Sequence, residues 1–329
     1  MARGWYLKSR PEGMPTLDNF EQRPLPLPLL EPGMVRVRNF WLSVDPYMRP
    51  RMTEAKSYVA SYALDAPLDG GAVGEVVESR ADGFSPGDLV SHRFGWRDEA
   101  AAPAEAFTKL PASGLPPQAY LNTLGMIGAT AYFGLLRVAE AKAGETMFVS
   151  AAAGAVGSTV VQIAKVKGMR VVGSAGGPEK CALVRELGAD AAVDYKSPGL
   201  LADKLAAAAP EGIDVYFENV GGEHLDAALA QAREGARFAI CGLIGAYNST
   251  EPVALRNLFR IIAARIRIQG FLVSDFRDHF SDFQRDMGLW MAQGRISGRE
   301  TVMDGLEAMP MAFLALFSGR NTGKMLVRL

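Results

Sequence analysis

One stretch constrains the fold more than any other: TMFVSAAAGAVGSTVVQIAKVKGMRVVGSAGG, residues 146–177. It opens with a short apolar run, Thr146 to Ser150, of the length expected for a buried strand. A turn of small residues follows, Ala151-Ala152-Ala153-Gly154-Ala155-Val156-Gly157. The next segment carries Val160, Val161, Ile163, Ala164 and Val166 on the apolar side of a helix, and Gly168 stands where a helix-ending glycine is expected. Arg170 to Gly173 reads as a second strand. Strand, tight turn, helix and strand in this order form the first half of a dinucleotide-binding βαβ unit. Gly154 would let the backbone approach a pyrophosphate, and Gly157 would let the helix pack close to the strand. The N–H groups at the helix start would then face the phosphates. Ala152 replaces the first glycine of G-x-G-x-x-G, so the motif is incomplete. On this stretch alone, a tight βα turn of some other α/β protein stays open.

A chain of 329 residues exceeds one ordinary domain, so two are expected, and 49% apolar residues suffice for two cores. The 35 basic and 36 acidic residues are well mixed, with no charge block for a nucleic-acid or membrane surface. Gly, Arg or Lys interrupts every apolar run before the ~20 residues of a membrane span. The opening MARGWYLKSRPEGMP lacks the apolar core of a secretory signal. Cys181 and Cys241 are the two cysteines, too few for a disulfide framework, and a reducing, cytoplasmic location is expected. His92, His224 and His279 are scattered, and no C-x-x-C or H-E-x-x-H occurs, so no zinc site is expected.

Residues 1 to about 120 read as β-rich. Val35 to Phe40 alternates apolar and polar, Gly71 to Glu78 reads as a strand, and Phe84 to Val90 as a turn feeding one. The proline-rich piece Arg23 to Pro32 reads as an extended surface connection. Leu124 to Leu136 suits a buried helix. After it, strands at 146–150, 170–174, 191–194, 213–218, 237–241 and 266–273 alternate with helices at 155–167, 179–187, 223–233 and 275–293. That pattern predicts a doubly wound parallel sheet. Phe276, Phe280, Phe283, Met287 and Met291 read as a core stripe. A last helix, Leu306 to Phe317, precedes a strand-like tail, Lys324 to Leu329, which is expected to return to the first domain.

The end of the second strand bears on the cofactor. NAD enzymes place an Asp or Glu there for the ribose 2′-hydroxyl. Here the place reads Gly173-Ser174-Ala175-Gly176-Gly177, with Lys180 soon after and Tyr195 closing the third strand. A missing acid, a cation and a hydroxyl together favour NADP(H).

Seven further segments run from end to end of the chain: LSVDPYMR at 42–49, GATAYFGL at 128–135, AAAGAVGS at 151–158, VDYK at 193–196, FENVGG at 217–222, CGLIGAYN at 241–248 and GKMLV at 323–327. With them the chain resembles the medium-chain dehydrogenase/reductase superfamily, within it the zinc-free prostaglandin reductase and alkenal double-bond reductase branch. The resemblance implies an α/β fold: a GroES-like β-rich domain at 1–121, a Rossmann domain with a doubly wound parallel sheet at 122–298, and a return to the first domain at 299–329. Zinc-dependent relatives carry a His near residue 71, where this chain reads Asp69-Gly70-Gly71.

The resemblance also implies roles. Gly154, Ala155, Val156 and Gly157 would hold the pyrophosphate, and Lys180 and Tyr195 the 2′-phosphate. Asn219 would lie by the cofactor ribose. Cys241, Gly242, Leu243, Ile244 and Tyr247 would line the cofactor through backbone groups. Phe271, Leu272 and Val273 would position the nicotinamide, with Asn321 reaching it from the C-terminal segment. The Cys241 side chain itself reads as a small buried group rather than a nucleophile. The implied reaction reduces a carbon–carbon double bond conjugated to a carbonyl, with NADPH delivering hydride to the β-carbon. Without a metal, a hydroxyl must stabilise the enolate, either a tyrosine or the cofactor ribose. Tyr47, on a loop expected to face the cleft, and Tyr247, after the fifth strand, are the candidates. Relatives with a tyrosine shortly before the last Rossmann strand differ from this chain, which reads Phe259 to Arg265 there, so water stays open as the proton source. Arg49 could meet an acidic substrate tail, although a surface ion pair is the plainer reading. A quinone oxidoreductase and a non-catalytic cofactor-binding protein remain alternatives, because fold and cofactor do not set the substrate. A homodimer is expected, with Phe238 to Ile244 or the strand at 266–273 as a sheet edge.

Overall fold

The structure, a computed structural model, describes residues 1–112, 114–249 and 251–329. The chain divides into two compact units, one of Met1–Leu121, Glu300–Asn321 and Met325–Leu329, the other of Asn122–Arg299 and Thr322–Lys324.

The first unit begins with strands β1 (Ala2–Leu7) and β2 (Phe20–Leu25), which pair antiparallel with Ala2 opposite Leu25. Part of the proline-rich piece is therefore strand: Pro24 faces Arg3 in this two-stranded sheet, where a missing N–H is tolerated. Next come β3 (Met34–Ser43), β4 (Ala72–Ser79), β5 (Leu89–His92), β6 (Glu99–Pro103) and β7 (Thr108–Lys109).

The second unit opens with α1 (Met126–Phe133), extended by a wide π turn over Gly134–Val138. Six parallel strands then alternate with helices. They are β8 (Thr146–Val149), α2 (Ala155–Val166), β9 (Arg170–Ala175), α3 (Pro178–Glu186), β10 (Ala191–Asp194), α4 (Leu201–Ala208), β11 (Ile213–Glu218), α5 (Glu223–Gln231), β12 (Ala232–Ile240), α6 (Phe259–Ala263) and β13 (Arg267–Gly270). The strand order is β10-β9-β8-β11-β12-β13, so the winding reverses between β8 and β11. Met147, Phe148, Val149, Val171, Val172, Val215, Tyr216 and Phe217 are all buried, as strands covered on both faces must be. Helix α2 lays Val160, Val161, Ile163 and Ala164 on the sheet, and Gly168, with φ +76°, ends it in the left-handed conformation.

Four segments differ from the sequence reading. The strand expected at 266–273 stops at Gly270, and the helix expected at 275–293 splits into a 3-10 turn, Val273–His279, and α7 (Phe280–Ala292). Asp275 Oδ2 accepts the Leu272 N–H at 3.0 Å, an alternative to continuous helix, while Phe276 leaves helical angles and stacks on Phe133 at 4.8 Å. Strand β12 begins at Ala232, inside the helix expected at 223–233, because Ala232 pairs with Ile213 of β11. It is also flanked on both sides, so Phe238 to Ile240 cannot supply a sheet edge; of the two stretches considered, the one at 266–273 lies on an edge, as β13, with β10 at the opposite edge. Helix α4 was absent from the sequence reading.

The chain completes the first unit with β14 (Glu300–Asp304), α8 (Met309–Phe317) and β15 (Lys324–Arg328). The sheet runs β14-β15-β3-β4-β5-β7, with β6 also on β3, and Leu326 of the tail pairs antiparallel with Ser43. Phe313 of α8 sits edge-on to Phe20 and Trp96, which stack on each other at 5.6 Å. The C-terminal segment from Leu306 to Val327, α8 and β15 included, thus completes a core whose other residues come from the first hundred. Both cysteines are free, and among the described residues no helix is long and apolar enough to cross a membrane.

His92 closes β5 beneath the Phe94 and Phe107 rings. Its Nδ1 accepts the Phe94 N–H at 3.1 Å, and its Nε2 has no partner among the described residues. Burial, with a smaller push from Arg97, lowers its pKa to about 3. An unfolded histidine takes a proton below about 6.5, and the folded site refuses it. The stability this group contributes is therefore full above that pH and declines as pH falls towards 3. We predict that His92→Asn, which keeps an acceptor for the Phe94 N–H, loses less stability than the parent between pH 7 and pH 5. The difference should approach ~1.4 kcal/mol per pH unit below the unfolded pKa. Parallel urea-denaturation midpoints for the two proteins across that range would count against the assignment.

Candidate functional site

In the second unit, the carboxyl ends of β8, β9, β11 and β12 gather the loops singled out in the sequence. The turn after β8 is shaped by one left-handed residue and two close approaches. Ala151 takes a left-handed φ of +49°. A Cβ at Gly157 would stand 2.2 Å from the Ala151 carbonyl oxygen, so only glycine lets α2 start there. A Cβ at Gly173 would stand 2.7 Å from the Ala152 methyl, so the alanine in the first glycine position is matched by a glycine on β9. At Gly154, which caps α2, Ala151 is the sole neighbour a Cβ would meet within 4 Å. The backbone there is open on one side, as a pyrophosphate cradle requires. The first N–H groups of α2 have no partner within the helix, which suits an anion.

Beside it, β9 ends in Ala175-Gly176-Gly177, and α3 starts with Pro178. Lys180 lies in the first turn of α3, half-buried; burial first, and then the charge of Lys196, holds its pKa below the usual lysine value. A Cβ at Gly176 would fall 2.8 Å from the Tyr195 hydroxyl and 2.9 Å from Lys196 Cε. The His224 ring lies edge-on to Tyr195 at 5.1 Å. Two cations and a phenol thus converge where no carboxylate follows the second strand.

The other loops are tied by a buried knot that the sequence did not suggest. The Ser150 hydroxyl donates to Glu218 Oε1 at 2.7 Å and accepts the Asn219 N–H at 2.8 Å. Glu218 Oε1 also accepts the Val220 N–H at 2.6 Å, and Asn219 Nδ2 donates to the Ser150 carbonyl at 2.8 Å. The Glu218 carbonyl receives the N–H groups of both Cys241 and Gly242. One fully buried acid therefore joins the turns after β8, β11 and β12. Burial, aided by Glu218, pushes the Cys241 thiol up to about 12, so it is no thiolate nucleophile.

From Cys241 on, N–H groups are already engaged: Ile244 donates to the Asn219 carbonyl, and Leu243 to the Tyr247 hydroxyl at 3.4 Å. This segment can line a ligand with carbonyls and side-chain surface rather than with those donors. Phe271, Leu272 and Val273 follow β13 as half-buried residues. The Phe271 ring sits over Gly134, where a Cβ would be 2.4 Å from its Cζ.

Tyr47 and Asn321 belong to the first unit. The Tyr47 hydroxyl accepts a hydrogen bond from Arg93 Nη2 at 3.2 Å. Burial, then Asp45, raises its pKa well above the usual phenol value. Asn321 is half-buried on the segment between α8 and β15. Arg49 is buried and donates to the Gly13 carbonyl at 2.7 Å, which removes the surface reading.

A doubly wound sheet with an open glycine turn at its switch point and a cationic pocket after the second strand defines a dinucleotide-dependent oxidoreductase. The first unit matches the family model described as N-terminal domain of oxidoreductase over residues 3–110, and the second matches that described as zinc-binding dehydrogenase over residues 155–290. The chain is 42% identical over 333 residues to the NADPH-dependent curcumin reductase of Escherichia coli, covering 99% of this chain and 96% of that protein. It is 41% identical over 327 residues to the NADP(+)-dependent 2-alkenal reductase of Nicotiana tabacum, covering 98% and 95%. The crystal structure of CurA in complex with NADPH from Vibrio vulnificus superposes with a TM-score of 0.94 at 41% identity, covering 99% and 98%. The chain belongs to the zinc-free medium-chain dehydrogenase/reductases, in the prostaglandin reductase and alkenal reductase branch, and is an NADP-dependent oxidoreductase. Among the described residues, no three His, Cys, Asp or Glu side chains converge as a metal site would need.

The knot is open to test. Ser150→Ala strips one donor from the buried Glu218 carboxyl and leaves the Asn219 N–H without its acceptor. We expect a loss of about 2–4 kcal/mol in unfolding free energy, with weaker NADP+ binding in calorimetric titration. Unchanged stability and affinity would remove the knot's organising role.

Proposed function

We propose that this enzyme reduces the carbon–carbon double bond of α,β-unsaturated ketones and aldehydes, with hydride added at the β-carbon. The observation that carries the reading is an NADP-type site, with no cluster of metal-binding side chains among the described residues, in a chain more than 40% identical, over nearly its whole length, to a curcumin reductase and a 2-alkenal reductase. When bound, NADPH supplies the hydride. The chain's own residues bind and orient: Gly154 to Gly157 take the pyrophosphate, Lys180 and Tyr195 the 2′-phosphate, and Asn219 the ribose. Phe271 to Val273, with Asn321, position the nicotinamide.

The remaining task is to stabilise negative charge on the substrate carbonyl oxygen as the enolate forms. Tyr47 is suited to it. Its raised pKa keeps the phenol neutral, so it has a proton to donate. The Arg93 guanidinium donates to the same oxygen, which polarises the O–H towards an acceptor. Tyr247 is the second candidate, with the Leu243 N–H on its oxygen. The final proton to the α-carbon comes from water or from the same hydroxyl.

We also infer a homodimer through the outer edge of β13. Arg267 to Gly270 are all exposed there, and pairing of one strand with its twofold copy is self-complementary. The free thiols of both cysteines suit the cytoplasmic setting we infer.

The test is NADPH consumption with a 2-alkenal and a benzylidene ketone. We expect turnover of both, and a roughly 10²-fold lower kcat in Tyr47→Phe or Tyr247→Phe, whichever hydroxyl meets the carbonyl oxygen. Turnover of quinones but not enones would replace this reading with a quinone oxidoreductase. NADPH binding without turnover of either class would point to a non-catalytic binder. Full activity in both phenylalanine variants would exclude a tyrosine donor.

A further inference from the structure

Lys196 shares a turn with Tyr195 and has no role in the reading above. Its side chain crosses Gly176, where its Cε and the Tyr195 hydroxyl would lie 2.9 and 2.8 Å from an added Cβ. Both side chains therefore converge on the backbone that closes β9, and a glycine is what leaves them room.

The turn is also held in place. Asp194 Oδ1 accepts the N–H of Gly177, after β9, and the N–H of Lys196, after β10, each at 2.9 Å. These two backbone bonds, foremost among its contacts, hold the Asp194 carboxyl below the usual aspartate value. Lys204 Nζ then donates to the carbonyls of Asp194 and Ser197. An acid near a phosphate site is ordinarily a liability. Here its charge is engaged by two backbone amides, and it ties together the two loops that carry the cations. After burial, the Lys196 charge is the second cause that disfavours the Lys180 ammonium. Two like charges close enough to oppose each other carry a cost that an anion between them removes.

We propose that Lys196 is a second cation of the 2′-phosphate subsite and that Asp194 is the positioning residue that aims it. Together they set the preference of this enzyme for the phosphorylated dinucleotide. The inference rests on the reading of Lys180 and Tyr195 as 2′-phosphate contacts and adds the pair that completes them. A phosphate dianion met by two ammoniums and a phenol gains charge-assisted bonds that a ribose 2′-hydroxyl cannot make. Binding of NADP+ should therefore fall with salt more steeply than binding of NAD+.

The test is calorimetric titration of the full chain with NADP+ and with NAD+, at low and raised salt. Lys196→Gln should weaken NADP+ binding ~10-fold, leave NAD+ binding unchanged and flatten the salt dependence for NADP+. Lys196→Arg should restore most of the loss. Asp194→Ala should weaken NADP+ selectively, while Asp194→Asn, which keeps the acceptor oxygen, should bind as the parent does. A general structural defect would move both cofactors together and leave their ratio intact. The inference is overturned if Lys196→Gln changes both affinities equally or neither. Equal affinities of the parent for the two cofactors would instead overturn the underlying assignment of Lys180 and Tyr195.

Discussion

A single close approach governs the second unit: backbone at Gly157 against the carbonyl of Ala151, with no room for a methyl group between them. Because α2 can begin that near β8, its first turn is aimed at the switch point of the sheet. The same closeness forces Ala151 into a left-handed conformation and brings Ala152 against β9. Gly173 then has to be bare. The substitution that makes the glycine motif look defective is thus one half of a matched pair, alanine on the turn and glycine on the strand. The loops gathered at these strand ends follow from that start.

The buried knot of Ser150, Glu218 and Asn219 does for the loops what Gly157 does for the helix. A carboxyl with no exposure is costly in a protein interior unless donors surround it. Glu218 offsets part of that cost with a hydroxyl and an amide on Oε1, while Oε2 has no hydrogen-bond partner among the described residues, and its backbone carbonyl draws in two more amides from the next strand end. The result is a rigid rim across three strands, on which a flexible dinucleotide can be ordered without ordering the protein as well. Asp194 repeats the device one strand over, on a smaller scale.

How far the site was legible follows from the range of the forces involved. Gly154, Gly157, Lys180 and Tyr195 could be singled out as candidates because glycine turns and missing acids leave local marks. Lys196, Asp194 and Glu218 stood in segments already marked, VDYK and FENVGG, yet nothing local distinguishes an acid that accepts backbone amides from one in solvent. Arg49 reads as a surface cation from its neighbours along the chain; burial against Gly13, far away in sequence, decides otherwise. The split of the helix after β13 is similar. Phe276 fits a helical stripe by spacing, but its stacking on Phe133 outweighs the local preference.

By itself the sequence determined the class of fold, the βαβ start, the lack of an acid after the second strand and the family. The first three depend on periodicity and on residues adjacent in the chain, where sterics act over a few bonds; the family rests on the resemblance of its signature segments. Only the tertiary structure decided which strand forms the sheet edge, where α7 begins, that Phe313 completes a core begun three hundred residues earlier, and which acids carry hydrogen-bond networks. These depend on contacts between residues remote in sequence. Burial and hydrogen-bond partnership are properties of such contacts, and no local pattern encodes them.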